Sequence, residues 1–317
     1  MGDLVSVIMS TYNEEPDWLK KSIDSILNQT YRNIEFIIVL DKPENEELGS
    51  ILYEYEKKDN RVKIILNKKN MGLVKSLNTA LEHCHGKYIA RMDADDISDP
   101  ERISKEKNYL ENNKLDFVFS GMIVIDENDK KLYEWDNNNF SPEEIKKVMG
   151  IWNISLHPTW FVKREVFTSL KGYRDIPYSE DYDFSLRALS NGFKIGKLNE
   201  NLLLYRMRST GISKSNNFEQ FIISRKLIQL YKKNKLDDYS YVNDQINHVQ
   251  GQMKNGQKQK YSIAEDIFHE SIGQMKEGQF LKGISKLVKS LLLSKYHIRK
   301  FNELLKYKIV TKQMKNR

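Results

Sequence analysis

The residues best suited to chemistry lie in Gly86–Pro100, GKYIARMDADDISDP, where an apolar run ends in Asp93, Asp95 and Asp96. Carboxylates this close repel and raise one another's pKa unless a cation shares the space. If strand geometry continues past Met92, Asp93 and Asp95 point the same way, because strand side chains alternate with period two. Two such acids can converge on one hard cation, and Mg²⁺ or Mn²⁺ typically sits between carboxylates and substrate phosphates. The plainer alternative makes Asp95, Asp96, Ser98 and Asp99 turn and N-cap residues before a helix at Pro100–Glu101. It suits Asp99 better than Asp93 or Asp95.

Other polar clusters fall at comparable places. Strand-like Leu4–Ser10 runs into Ser10-Thr-Tyr-Asn-Glu14, Glu35–Leu40 ends at Asp41, Val62–Leu66 leads into Asn67–Gly72, and Tyr88–Met92 leads into the acids. Ligands of open α/β sheets gather outside the carboxyl ends of strands, so these clusters would form one rim. The rim has no Gly-x-Gly-x-x-Gly and no Gly-Lys-Ser/Thr loop, which argues against a dinucleotide enzyme and a P-loop NTPase.

The elements that must hold this rim alternate. Helical spacing appears in Trp18–Gln29 and in Gly72–Cys84, between the strand-like segments. Such alternation predicts a mostly parallel sheet covered by helices. A helix is expected from Pro100 to about Asn113, then a strand over Phe117–Ile125, a turn at Asp126–Lys130 and a return over Leu132–Trp135. Pro142 follows Ser141 as a helix start, with Glu144 nearby. Glu180–Asn191 reads as a helix stopped by Gly192, before two strands at Phe193–Leu198 and Leu202–Met207.

From about Asn216 the pattern is helical only. Candidates are Phe218–Lys233, Ser240–Lys254, Tyr261–Lys276, Phe280–Leu293 and roughly Ile298–Gln313, with Asn255–Lys260 (NGQKQK) as a polar break. The chain therefore divides into residues 1–215 and a basic helical region, 216–317.

The 317 residues can bury a full core, and 39% hydrophobic with 11% aromatic content describes a globular protein. A single cysteine, Cys84, excludes an internal disulfide, fits a reducing compartment and reads as a small buried thiol. No basic leader, long apolar segment or stretch of about 18 apolar residues is seen, so neither a signal peptide nor a membrane span is expected. The expected location is cytoplasmic or peripheral to a membrane. Net charge is +7, while Lys276–Arg317 alone carries twelve Lys/Arg against Glu277 and Glu303, or +10, leaving 7 − 10 = −3 for the rest.

In this order and spacing the motifs resemble the inverting nucleotide-sugar glycosyltransferases of family 2, with the GT-A fold. The matching stretches are Val5-Ser-Val-Ile-Met-Ser-Thr-Tyr-Asn-Glu14, Ser25-Ile-Leu-Asn-Gln-Thr-Tyr31, Asp41, Asn70-Met-Gly-Leu-Val-Lys-Ser-Leu-Asn78, Asp93-Ala-Asp95 and Tyr178-Ser-Glu-Asp-Tyr-Asp183. They span about residues 3–213. Each is weak alone, and their common order and spacing carry the resemblance.

The resemblance implies a UDP-sugar donor, Mn²⁺ or Mg²⁺, and a saccharide acceptor, often lipid-linked at the inner face of the cytoplasmic membrane in bacterial relatives that build capsules or exopolysaccharides. Thr11, Tyr12, Asn13 and Glu14 would border the nucleotide, with Tyr12 near the base and Asp41 accepting from uracil or ribose. Asn70 would sit at the strand-to-helix turn and Lys75 at the diphosphate, while Arg91 serves as counter-ion to the acids. Asp93 would hold ribose or metal, and Asp95 the metal. Asp181 would be the base that inversion requires, Glu180 would orient the acceptor, and Asp183 would be structural. His157 and Trp160 fall in a segment, Leu156–Phe161, that faces the acceptor. One departure stands out: where many relatives have Tyr-Arg-x-His, this chain has Tyr205-Arg-Met-Arg208. Arg208 cannot ligate a metal but can bind phosphate bidentately.

For each acid a structural role competes: a strand-end turn for Asp41, an acidic first helical turn for Glu180 and Asp181. Two other functions remain open. A sugar-phosphate nucleotidyltransferase should have a glycine-rich loop after its first strand, and Ser10–Glu14 has no glycine. A non-catalytic nucleotide-binding scaffold would have no need of Asp93, Asp95 and Asp181 together. In the tail, Phe280–Leu293 is a basic amphipathic segment that suits a membrane surface, a partner or the body of the protein, and no motif there specifies nucleic acid.

Overall fold

A computed structural model describes residues 2–135, 138–208, 211 and 215–315. The first elements alternate: β1 (Val5–Thr11), α1 (Pro16–Leu27), β2 (Ile34–Leu40), α2 (Glu46–Lys58), β3 (Val62–Leu66), α3 (Leu73–Glu82) and β4 (Tyr88–Arg91). The chain continues through β5 (Ile97–Ser98), α4 (Arg102–Asn112), β6 (Phe117–Ile125), β7 (Lys131–Glu134), α5 (Pro142–Met149), β8 (Trp160–Lys163), α6 (Arg164–Leu170), α7 (Glu180–Ser190) and β9 (Ile195–Arg206). Helices follow: α8 (Asn217–Lys232), α9 (Tyr239–Gly251), α10 (Asn255–Lys276), α11 (Phe280–Leu293) and α12 (Lys295–Lys315).

Among the described residues one sheet runs β3-β2-β1-β4-β8-β6-β9-β5, with β7 beside β6. The strands β3, β2, β1 and β4 are parallel, and β8 enters antiparallel between β4 and β6. This is the mixed sheet of a GT-A fold, followed by a helical extension. By internal contacts the chain forms two compact units, one of residues 1–146, 154–175 and 180–209, the other of 147–153, 176–179 and 210–317.

The parallel half folds as its apolar runs dictate. Val5, Val7, Met9, Phe36, Ile38 and Ala90 pack with Leu19, Ile23 and Ile26 of α1. Each such aliphatic or aromatic side chain contributes about 1.5–3 kcal/mol by leaving water. At α5, Ser141 and Glu144 exchange side-chain-to-backbone bonds of 3.3 and 2.9 Å, a capping box. Cys84 is buried, as its apolar setting implied.

Several elements differ from the pattern reading, and four of them show the physical reason. Helix α2 was not expected, because it buries only Leu48, Gly49 and Leu52. Its clearest local signal is the cap, where the Asn45 side chain accepts from the Leu48 N–H at 3.1 Å. The two strands expected after Gly192 are one, β9, which carries a polar stretch in its middle. Gly121 pairs with Asn201 across a register shift, a bulge that lets Asn199 and Glu200 face solvent within the strand. The expected break NGQKQK is the first part of α10, because Gln and Lys favour helix and Gln257 accepts from the Lys254 N–H at 3.2 Å. Strand β8 is only four residues long, too short for alternation to show.

One buried cation ties β4 to the segment before β8. Arg102 is fully enclosed and donates to the carbonyls of Pro158 (2.8 Å) and Arg91 (3.1 Å). Glu106, one turn on, is also enclosed and accepts from Ser120 Oγ at 2.7 Å. Burial pushes the Glu106 carboxyl up to about 7, with Arg102 opposing the shift. Replacing Arg102 strands two carbonyls and removes the charge facing Glu106. Arg102→Ala is expected to lose about 3–5 kcal/mol, read as a lower midpoint in urea denaturation.

Candidate active site

Parallel pairing brings three of the strand-end clusters together. Thr11 pairs with Leu40, Ile8 with Arg91, and the Met92 N–H continues the ladder to the Ile8 carbonyl at 3.0 Å. After β1 the chain turns on Glu14, whose carboxylate accepts from Thr11 Oγ1 (2.6 Å) and the Tyr12 N–H (2.8 Å). Tyr12 and Asn13 are left exposed; Lys42 stands 5.5 Å from the Tyr12 ring centre and donates to Asn13 Oδ1 at 2.9 Å.

Asp41 is 3% exposed and organises the next turn. Its Oδ1 accepts from Asn67 Nδ2 and the Met71 N–H, both at 2.7 Å, and its Oδ2 from the Gly72 N–H at 2.8 Å. A carboxylate has about four lone-pair directions, so Oδ2 retains one. Asn70 Oδ1 also accepts from the Gly72 N–H, at 3.0 Å. Gly72 sits at φ 85°, a conformation that favours glycine, and opens α3, on which Lys75 is exposed.

The acids after β4 are interleaved with arginines. Arg91 is buried and pairs with Asp93, while donating to the Met92 carbonyl. Asp95 Oδ2 meets Arg208 Nε at 2.7 Å. Asp96 is fully enclosed and accepts from the Arg206 N–H at 2.9 Å, and the Arg206 guanidinium returns to the Asp95 carbonyl at 2.9 Å. Arg206 also meets Asp129 at 2.6 Å and lies 5.0 Å from the Trp18 ring centre. Asp99 forms the turn expected of it, accepting from the Glu101 N–H at 2.9 Å.

Burial, with the charge of Asp93 next, pushes Asp95 up to about 7 against the pull of Arg208. Burial drives Asp96 well above the carboxylate range, with Asp95 and Asp93 adding to it. Among the described residues no three His, Cys, Asp or Glu side chains form a metal-ligand group. The donor set is two hard carboxylates, each shared with an arginine. That suits an ion completed by substrate phosphates and does not suit an all-protein cage.

The second acid pair opens α7. Glu180 and Asp181 occupy its first turn, where the helix dipole favours anions. Burial and then the charge of Asp181 push Glu180 up to about 8, with Asp93 adding and Arg91 opposing. The two acid pairs therefore lie within one electrostatic neighbourhood. Asp183 is enclosed and held by Arg187 Nε at 2.7 Å, whose guanidinium caps the carbonyls of Leu170 (2.8 Å) and Gly172 (2.9 Å).

His157 Nε2 lies 2.9 Å from the Tyr173 hydroxyl, and its ring meets Trp160 edge-on at 4.6 Å. Burial, then the charge of Arg91, keeps the imidazole neutral, well below its usual pKa. Trp160 is 1% exposed, packed among Phe117, Tyr173 and Phe184.

Pattern reading gave no role to Arg206, Asp129 or Tyr173, and named Asn67 only as the start of the Asn67–Gly72 cluster. Arg206 stood within the quoted Tyr205–Arg208 stretch. Its partner Asp95 lies 111 residues away, Tyr173 meets His157 across 16 residues and Asn67 meets Asp41 across 26, so these contacts leave no local signal.

With this geometry in hand, comparison with known proteins is direct. Residues 6–170 match the model of "Glycosyl transferase family 2". A glycosyltransferase of Methanocaldococcus jannaschii is 40% identical over 233 residues, covering 73% of this chain and 80% of that protein. The O-antigen biosynthesis glycosyltransferase WbnJ of Escherichia coli is 37% identical over 215 residues, 67% of this chain and 83% of that one. The crystal structure of S. aureus TarS 1–349 in complex with UDP-GlcNAc superposes with a TM-score of 0.60 at 16% identity, covering 98% of this chain and 91% of that chain. The chain belongs to glycosyl transferase family 2 and is a glycosyltransferase.

A carboxyl raised from 4.5 to about 8 binds its proton more tightly in the folded than in the unfolded state. Its contribution to stability is full below pH 4.5 and is lost as pH rises from there to about 8. Glu180→Gln is expected to raise Tm at pH 8.5 and to leave it nearly unchanged at pH 4.5, as read by calorimetry across that range.

Proposed function

We propose that the chain transfers a hexose or N-acetylhexosamine from a UDP-sugar to a hydroxyl of a saccharide acceptor, with inversion, in the assembly of a capsule, exopolysaccharide or other cell-surface glycan. The observation that carries this reading is the shared neighbourhood of Asp93, Asp95, Arg91 and Arg208 with Glu180 and Asp181. It is supported by kinship to an O-antigen enzyme and by a shared fold with a protein crystallised with UDP-GlcNAc.

In this reading Tyr12 offers its exposed ring to the uracil, and the remaining lone pair of Asp41 accepts from uracil or ribose. Lys75 and Arg208 take the diphosphate, Arg208 exchanging one Asp95 oxygen for phosphate oxygens of like geometry. Asp93 and Asp95 would hold Mn²⁺ or Mg²⁺, which supplies charge neutralisation on the departing diphosphate. Asp181 removes the proton of the attacking hydroxyl as that oxygen bonds the anomeric carbon from the face opposite UDP. The bond from that carbon to the diphosphate breaks, and UDP leaves. Glu180 orients the acceptor, and neutral His157 stiffens that side through Tyr173.

Asp181→Asn is expected to lower transfer by about 10²–10⁴-fold while leaving the Kd for UDP unchanged, as measured by UDP release and by calorimetric titration. Full transfer by this variant would remove Asp181 as the base. Arg208→Ala should remove a charge-assisted contact of about 1.5–3 kcal/mol, weakening UDP in the same titration. Running it with and without Mn²⁺ separates that loss from the contribution of the ion. If neither UDP nor a nucleotide sugar binds under any condition, the donor assignment fails.

A further inference from the structure

Helix α11 fully encloses only small residues, while its leucines are half-buried or exposed. A water-soluble helix normally turns its large apolar residues inward and its small or charged ones outward. Here the buried face carries Gly283 and Ser290. A Cβ on Gly283 would come within 2.9 Å of the Ser271 carbonyl, so α11 approaches α10 closely along its small residues. Ser290 Oγ is fixed 3.0 Å from His297 Nδ1 of α12. These contacts determine which face of α11 turns outward.

That outward face is apolar. Leu281 is 86% exposed, Leu292 81%, Ile284 51% and Val288 49%. Their spacings of three, four and four residues place them in one stripe. A shallow hollow lined by Ser285, Val288, Lys289, Leu292 and Leu293 lies along it. Lys282 and Lys289 each follow a stripe residue by one position, roughly 100° round the helix, and so flank it on one side.

The stripe's setting decides its occupant. Residues 276–317 carry a net charge of +10. Pairing this face with its own copy would bring two such segments together, whereas an anionic surface complements them. An exposed apolar stripe beside lysines matches an interfacial helix whose apolar face enters the acyl boundary.

We infer that the Leu281–Ile284–Val288–Leu292 face of α11 seats the protein on a bilayer containing anionic phospholipid, with Lys282 and Lys289 against the phosphate headgroups. The inference is independent of the donor, acceptor and base assigned above. Each lysine near such a surface contributes roughly 1 kcal/mol, or about fivefold in affinity. Among the described residues no helix is long and apolar enough to cross a membrane, so the contact proposed is to one surface.

The full chain should float with vesicles of phosphatidylcholine and phosphatidylglycerol, float poorly with phosphatidylcholine alone, and release as salt is raised. L281E/L292E should lower binding at least about tenfold, and K282E/K289E should abolish the preference for phosphatidylglycerol. Both variants change exposed side chains, and circular dichroism melting should match the unchanged protein. If L281E/L292E proves unfolded, K282E/K289E alone decides. The inference is overturned if the unchanged protein stays unbound, if a folded L281E/L292E floats as well as it does, or if K282E/K289E keeps the preference. Light scattering that shows a dimer lost in L281E/L292E, without flotation, would assign the face to a second copy and overturn it too.

Discussion

Three aspartates crowded at the end of β4 set the terms for much of the catalytic unit. Asp95 and Asp96 are buried with Asp93 beside them, and burying a bare carboxylate costs several kcal/mol. The chain answers with three arginines, each doing something different. Arg91 is buried beneath Asp93, Arg206 threads its backbone and guanidinium between Asp96 and the Asp95 carbonyl, and Arg208 meets the outer oxygen of Asp95. Arg206 must then be held itself, which explains its contact with Asp129 and its position over Trp18. The β6–β7 turn and α1 thus take their positions partly from a charge problem at β4.

The arginines also differ in what they can release. Arg206 is enclosed and tied to several backbone carbonyls, so its role is to keep the turn in shape. Arg208 is partly exposed, and its Nε meets Asp95 Oδ2. Two oxygens of an incoming phosphate can meet the guanidinium side by side, as the two oxygens of a carboxylate can. In the proposed mechanism this makes Arg208 the exchangeable cation, able to turn from Asp95 to the diphosphate, while Asp95 would be free to help hold a divalent ion.

Legibility in the sequence followed the range of the interactions. Segments such as EFIIVL and FVFSGMIVI announce buried strands by composition alone, and β2 and β6 appear where those runs lie. Helix α2 escaped because it buries one narrow edge, and β8 because four residues carry no period. At the site, types and spacing drew attention to Asp93 and Asp95, since acids near strand ends are a local pattern, while the roles of Glu180 and Asp181 were what the family resemblance implied. What could not be read was occupancy. Nothing near Asp41 in the chain shows that most of its acceptor capacity serves Asn67, Met71 and Gly72. Nothing near Trp160 shows that it is enclosed by Phe117, Tyr173 and Phe184. Those facts depend on contacts closed by the sheet.

The acid pair at α7 shows why a site of this kind weakens the fold that carries it. A protein selected for stability alone would not bury Glu180 beside Asp181 and within reach of Asp93, where its carboxyl is pushed up to about 8. The surroundings compensate elsewhere: Asp183 and Arg187 lock the next turn, and Arg187 gathers the carbonyls of Leu170 and Gly172 into the same cluster. Rigid support one turn away lets the start of the helix hold two acids that repel. On the proposed reading, Asp181 takes the proton when an acceptor hydroxyl arrives, and the locked turn behind it keeps that carboxylate aimed.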